Sequence, residues 1–99
     1  MKKSIVDYVK NRSQGYCENC GSNRDIELHH IIFGRGNRKE CATKYSVIAL
    51  CRDCHRGKYG VHNNIYLDLK LKKKLQQKYK SLGYEEDELY KLMGGKFYE

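Results

Sequence analysis

The chain turns on one stretch: Cys17-Glu18-Asn19-Cys20-Gly21, then Asp25-Ile26-Glu27-Leu28-His29-His30-Ile31-Ile32-Phe33, then Val47-Ile48-Ala49-Leu50-Cys51-Arg52-Asp53-Cys54-His55, closing at His62. All four histidines and all five cysteines of the protein lie within it. In a Cys-x-x-Cys pair two intervening residues let both sulfurs reach one ion at about 2.3 Å. Gly21 relieves the tight turn that follows the first pair. Thirty residues separate Cys20 from Cys51. Two such pairs predict a single structural zinc ion on Cys17, Cys20, Cys51 and Cys54. Such a shell has no open position, so this zinc does no chemistry and its role is to pin two distant segments together. Cys41 is left over, and we read it as a loop or core cysteine.

Outward from this stretch, the composition fits a metal-braced domain. A chain of 99 residues is one domain with a thin core, and a staple helps it fold. It is 39% hydrophobic, with no Trp, no Pro, two Phe and nine Tyr. No apolar run of about 18 residues is present, so no membrane helix is expected. Met1-Lys2-Lys3 is not followed by the apolar segment of a signal peptide, which points to a cytoplasmic protein. In a reducing compartment, paired cysteines are metal ligands rather than disulfides or redox pairs. The formal charge is +8 from 20 Lys+Arg and 12 Asp+Glu. Four thiolates and one zinc change it by −4 + 2, giving +6, and a second divalent ion restores +8. That balance suits a polyanion such as nucleic acid, or else a solvated lysine-rich surface.

Three parts follow in order: an N-terminal helix within 1–16, a core at 17–62 and helices in 63–99. Residues 4–13 predict a helix capped by Ser4, ended at Gly15, with Ile5, Val6 and Val9 on one face. Residues 25–33 predict a strand with Ile26, Leu28 and His30 on one side and Glu27 and His29 on the other. Residues 34–46 read as a basic, glycine-containing loop. Val47 to Leu50 reads as a second strand running into Cys51, and a short or irregular helix follows because Gly57 and Gly60 interrupt it. Residues 64–82 carry Leu67, Leu71, Leu75, Tyr79 and Leu82 at helical spacing, with Gly83 as the stop. A last helix over 85–93 opens on Glu85, Glu86, Asp87 and Glu88, where the helix dipole favours acids.

Cys-x-x-Cys, Leu-His-His-Ile and Leu-Cys-x-x-Cys-His, in that order, resemble the HNH endonucleases, and more narrowly the small phage and prophage members braced by zinc. The resemblance covers residues 17–62 and extends loosely to the tail. It implies an α+β fold, a zinc-braced ββα-metal (HNH, His-Me finger) core with an N-terminal helix and a C-terminal helical tail. It implies that His29 and His55 are ligands of a catalytic divalent ion and that His30 is the general base. His62 would be a third ligand if Gly57 and Gly60 bend the segment. The asparagine of the family motif is replaced here by Ser46, and the second helical histidine by Tyr59.

The implied reaction is hydrolysis of DNA phosphodiester bonds to 5′-phosphate and 3′-hydroxyl products. A neutral imidazole can take the proton of water near neutral pH. An ion held by imidazoles can neutralise phosphate charge, with manganese, nickel, cobalt or zinc better suited than magnesium. Arg35, Arg38, Lys39, Lys44, Arg52, Arg56 and Lys58 are the expected phosphate contacts, giving affinity without sequence. The substrate is expected to be double-stranded or branched DNA, and the protein a monomer or homodimer. Two other readings stand beside this one. One is a non-catalytic zinc-braced nucleic-acid-binding protein that assists recombination. The other is a branch-specific resolvase using the Leu67/Leu71/Leu75 stripe as a dimer face.

Overall fold

The computed structural model describes residues 1–34 and 36–99, with only the backbone at Arg38 and Lys39. Its elements run α1 (Lys3–Ser13), β1 (Ile26–His30), α2 (Asn37–Glu40), β2 (Val47–Cys51), α3 (Arg52–Arg56), α4 (Ile65–Ser81) and α5 (Glu86–Leu92). The architecture is α+β, built on one antiparallel pair of strands. Among the described residues no helix is long and apolar enough to cross a membrane.

The strand register explains how the two sides of the sheet are used. Ile26 pairs with Cys51, Leu28 with Ala49, His29 with Ile48 and His30 with Val47. Residues opposite one another share a face, and neighbours along a strand alternate. One face thus carries Ile26, Leu28, Val47 and Ala49, which pack with Ile5 and Val9 of α1. The other carries Ile48 and Leu50, which pack in the larger core with Ile31, Leu71, Leu75 and Tyr79. Full burial of each such leucine or isoleucine contributes about 1.5–3 kcal/mol. The stripe on α4 is therefore filled from within this chain at Leu71, Leu75 and Tyr79, while Leu82 at its end is 44% exposed. Leu67, the third leucine of the stripe, is partly buried against the same core.

Several element boundaries differ from expectation. α1 begins at Lys3, not after Ser4, and no side chain caps it. Its left-handed stop is Gln14 (φ 55°), one residue before Gly15. β1 ends at His30, and Ile31 and Ile32 turn off it into the core, where apolar burial outweighs continuation of the strand. The expected loop contains the short helix α2. α3 starts on Arg52 because the Cys51 sulfur caps it, accepting the Cys54 N–H. Asn64 caps α4 by accepting from the Tyr66 and Leu67 amides. Gly83 (φ 86°) closes α4 with the Tyr84 N–H on the Tyr79 carbonyl.

Two polar side chains tie distant segments to this frame. Arg12 donates to the carbonyls of Lys44 (2.9 Å) and Val47 (2.7 Å) and pairs with Glu18, which also accepts the Ala49 N–H at 2.8 Å. Buried Gln76 donates to the Tyr98 carbonyl and accepts its N–H at 2.8 Å, clamping the C-terminal segment onto α4.

Candidate metal centres

The four paired cysteines converge as their spacing predicts. Each of Cys17, Cys20, Cys51 and Cys54 offers its sulfur, and all four sulfurs lie within 4.8 Å of one another. Cys20 Sγ and Cys51 Sγ are 3.6 Å apart, close to the roughly 3.8 Å edge of a tetrahedron with 2.3 Å zinc–sulfur bonds. The β2–α3 junction positions the second pair, and a turn in which Gly21 (φ 83°) donates to the Cys17 carbonyl positions the first. The Asn19 and Cys20 amides point at Cys17 Sγ (3.4 Å each), and Asn19 Nδ2 at Cys54 Sγ (3.3 Å).

The thiols are unequal. Burial alone would raise the Cys17 pKa, but the N–H groups of Cys20, Cys51 and Asn19 bring it down to about 6. Cys54 is pushed up to about 12 by burial and by its neighbouring sulfurs, which the Asn19 amide only partly offsets. One thiolate is favoured there, and further thiolates call for a cation among them. The cluster can hold a structural metal ion such as zinc. Cys41 lies apart, buried, with its thiol on the Lys91 carbonyl. Burial raises its pKa.

A second convergence lies on the α3 side of the sheet. His29, His55 and His62 each offer one ring nitrogen, and the three nitrogens lie within 4.8 Å of one another. His29 comes from β1, on the face shared with Glu27 and Ile48. His55 sits on α3. His62 reaches the cluster because α3 stops at Arg56 and the chain turns back, with the Val61 N–H on the Cys54 carbonyl and the His62 N–H on the His55 carbonyl. Gly60 permits that turn, since a Cβ there would stand 2.6 Å from the Asp53 carbonyl oxygen. The bend proposed for Gly57 and Gly60 is present.

The donor set fits an imidazole-bound divalent ion. His55 Nδ1 is 2.8 Å from Glu27 Oε1, and its Nε2 is 3.0 Å from His62 Nε2. A carboxylate on one ring nitrogen fixes the tautomer that offers the other. His29 is 3% exposed, and its Nε2 is buried with no hydrogen-bond partner among the described residues. Burial first, and then the nearby His55, His62, His30 and Lys72, push its pKa down to about 3. The ring is held neutral, the form that ligates. Arg56 grips Glu27 through both oxygens (3.0 and 2.6 Å), and these two partners hold the carboxyl below its usual pKa, Arg56 more than His55.

His30 is not one of the three converging rings. It pairs with Val47, whose face packs on α1, and is partly exposed at the end of β1. Ser46 is buried; its hydroxyl donates to the Cys41 carbonyl (3.0 Å) and accepts the Thr43 N–H (2.8 Å). The Ser46 carbonyl accepts the Ile31 N–H at 2.8 Å, so it fixes the residue that follows His30.

Of the expected DNA contacts, Arg35 and the side chains of Arg38 and Lys39 lie outside the described residues. Lys44 is exposed, its ammonium over the rings of Tyr8 and Tyr45. Arg52 is exposed, and exposed Lys58 lies over Tyr59. Arg56 is committed to Glu27. Three residues near the centres escaped the sequence reading. Glu27 and Arg12 act through partners far along the chain. Lys72, paired with Asp68, lies 4.7 Å over the Phe33 ring, which in turn is 5.8 Å from His29 and 5.9 Å from His62. Of these contacts only the Asp68–Lys72 pair has a local signature, its i, i+4 spacing.

Comparison with protein families, with curated proteins and with solved structures found no match to this chain.

Proposed function

We propose that the protein is a metal-dependent DNA endonuclease of the HNH type, its ββα core being β1, β2 and α3 and its scaffold zinc lying on the four paired cysteines. The observation that carries this reading is the convergence of His29, His55 and His62 beside the cysteine cluster. The order of the Cys-x-x-Cys, His-His and Cys-x-x-Cys-His motifs supports it independently.

In this reading the residues divide the work. His29, His55 and His62 would hold the catalytic ion, with Glu27 orienting His55. When bound, a divalent ion supplies neutralisation of phosphate charge and help for the departing 3′ oxygen. His30 takes the proton from the attacking water, giving 5′-phosphate and 3′-hydroxyl ends. Lys44, Arg52 and Lys58 contact phosphates, and Lys72 adds positive charge at the rim of the histidine cluster. Arg56 serves mainly to hold Glu27.

Supercoiled-plasmid nicking tests this, with EDTA, magnesium, manganese and nickel in parallel and His30→Ala beside the wild type. The expected result is nicking that requires metal and falls by 100-fold or more in the variant, the range of a lost general base. Nicking unchanged in His30→Ala removes His30 from the base role. No nicking with any metal, by zinc-loaded protein that still binds DNA, replaces the enzyme with a nucleic-acid-binding module.

A further inference from the structure

A groove separates α1 from α4 on the side of the sheet that carries Ile48. Tyr8 and Tyr45 line it, together with Lys70, Lys74 and Lys78 of α4. Its lining is apolar at Ile31, Ile48, Leu71 and Leu75. The three lysines are exposed and lie one turn apart on one helix. Successive members are spaced about 6 Å along the axis, close to the spacing of neighbouring phosphates in a single strand. Like charges at this spacing oppose one another, and the groove gives them no acid of their own. Glu18 also lines it, but its carboxylate is taken by Arg12 and the Ala49 amide.

The tyrosine pair has complementary chemistry. The Tyr8 and Tyr45 rings meet edge to face, with centroids 6.1 Å apart at 74°. Lys44 stands over both rings and Lys78 over Tyr45. Tyr8 is 37% exposed. An apolar lining with aromatic rings and a regular row of ammonium groups matches a strand whose bases are unpaired, because base faces can then stack on aromatic rings while phosphates meet the lysines. A duplex offers only its phosphates to such a lining, its base faces being stacked internally.

We infer that the groove between α1 and α4 binds single-stranded DNA, so that the substrate carries a single-stranded segment such as a flap, gap or branch. This deepens the nuclease reading and rests on it for the choice of DNA; the groove itself shares no lysine or tyrosine with the two metal centres.

The test is fluorescence anisotropy with zinc-loaded protein and no other divalent ion. The probes are a labelled oligothymidylate of about 16 nucleotides, within the site size of single-strand binders, and a hairpin duplex with the same number of phosphates. Both are titrated over a range of salt. The wild type binds the oligothymidylate more tightly. Replacing Lys70, Lys74 and Lys78 together by alanine lowers affinity at least tenfold and flattens the log–log salt slope by about 2, since each single-strand phosphate contact contributes about 0.7. Replacing Lys2, Lys73 and Lys80, which remove equal charge outside the groove, leaves the slope nearly unchanged. Tyr8→Ala weakens oligothymidylate binding at least about fivefold, the loss of one stacked base, and spares the hairpin. All seven substituted positions are exposed, and zinc content checks that the fold is kept. Equal affinity for the two probes, or equal slope changes in the two lysine triples, overturns the inference. Plasmid nicking decides the enzyme separately: a protein that never nicks yet shows the groove effects fails only the nuclease reading, and one that nicks but shows none fails only this inference.

Discussion

Glu27 illustrates how one side chain sets the state of another. Its carboxylate takes the Nδ1 side of His55 and is itself held by Arg56. With Nδ1 occupied, Nε2 is the nitrogen turned toward His62. In Glu27→Gln the replacement amide can present either an oxygen or an NH2 group to the ring, and Arg56 loses its ionic partner. Affinity of the histidine cluster for nickel or cobalt is expected to fall by about 10–100-fold, read by titration calorimetry on zinc-loaded protein, with the cysteine-bound zinc unchanged. Equal affinity in wild type and variant would leave Glu27 with only a structural ion pair. That His29 and Glu27 share one strand face was legible from two-residue alternation. The Arg56 grip was not, because it joins residues 29 positions apart and no local pattern encodes such a contact.

At the scale of elements, the segment after α3 carries most of the geometry. A five-residue helix has little stability of its own, and it persists because Cys51 caps its start and the returning chain bonds to Cys54 and His55. Gly60, like Gly57, is a position where this return leaves no room for a Cβ. Gly60→Ala forces its new Cβ against the Asp53 carbonyl and is expected to cost about 1–3 kcal/mol, as overpacking does. The sharper expectation is selective: His62 moves off the cluster, so nickel or cobalt binding weakens while four-cysteine zinc binding persists. Chemical denaturation and the same titration check both parts; a variant with wild-type metal affinity would show that the turn tolerates the added methyl. The sequence displayed two glycines and a histidine seven residues past His55, enough to suggest a bend but not its direction. It showed α4 well, because the Leu71, Leu75 and Tyr79 period runs through the whole helix. It hid α2, four residues long, which has no period to display, and it placed the first cap on Ser4 because capping preference was outweighed by the packing of Ile5 and Val9.

For the whole molecule, the cysteine cluster joins the N-terminal third of the chain to the β2–α3 junction. Structural zinc contributes roughly 10–16 kcal/mol in small domains, as much as the entire stability of many of them, about 5–15 kcal/mol. Removing metal with a strong chelator is therefore expected to abolish the cooperative thermal transition, and one equivalent of zinc to restore it, as followed by circular dichroism. A metal-free protein that melted cooperatively at the same temperature would show that the α1 and α4 packing suffices alone. Cys54 and His55 are consecutive residues that belong to different clusters, and this adjacency has a consequence for motion. A displacement of the peptide unit between them shifts one member of each cluster together, so the two clusters share a mechanical joint at α3. A metal ion on the four cysteines would thereby steady His55 directly, while His29 and His62 keep their own attachments on β1 and on the turn after α3.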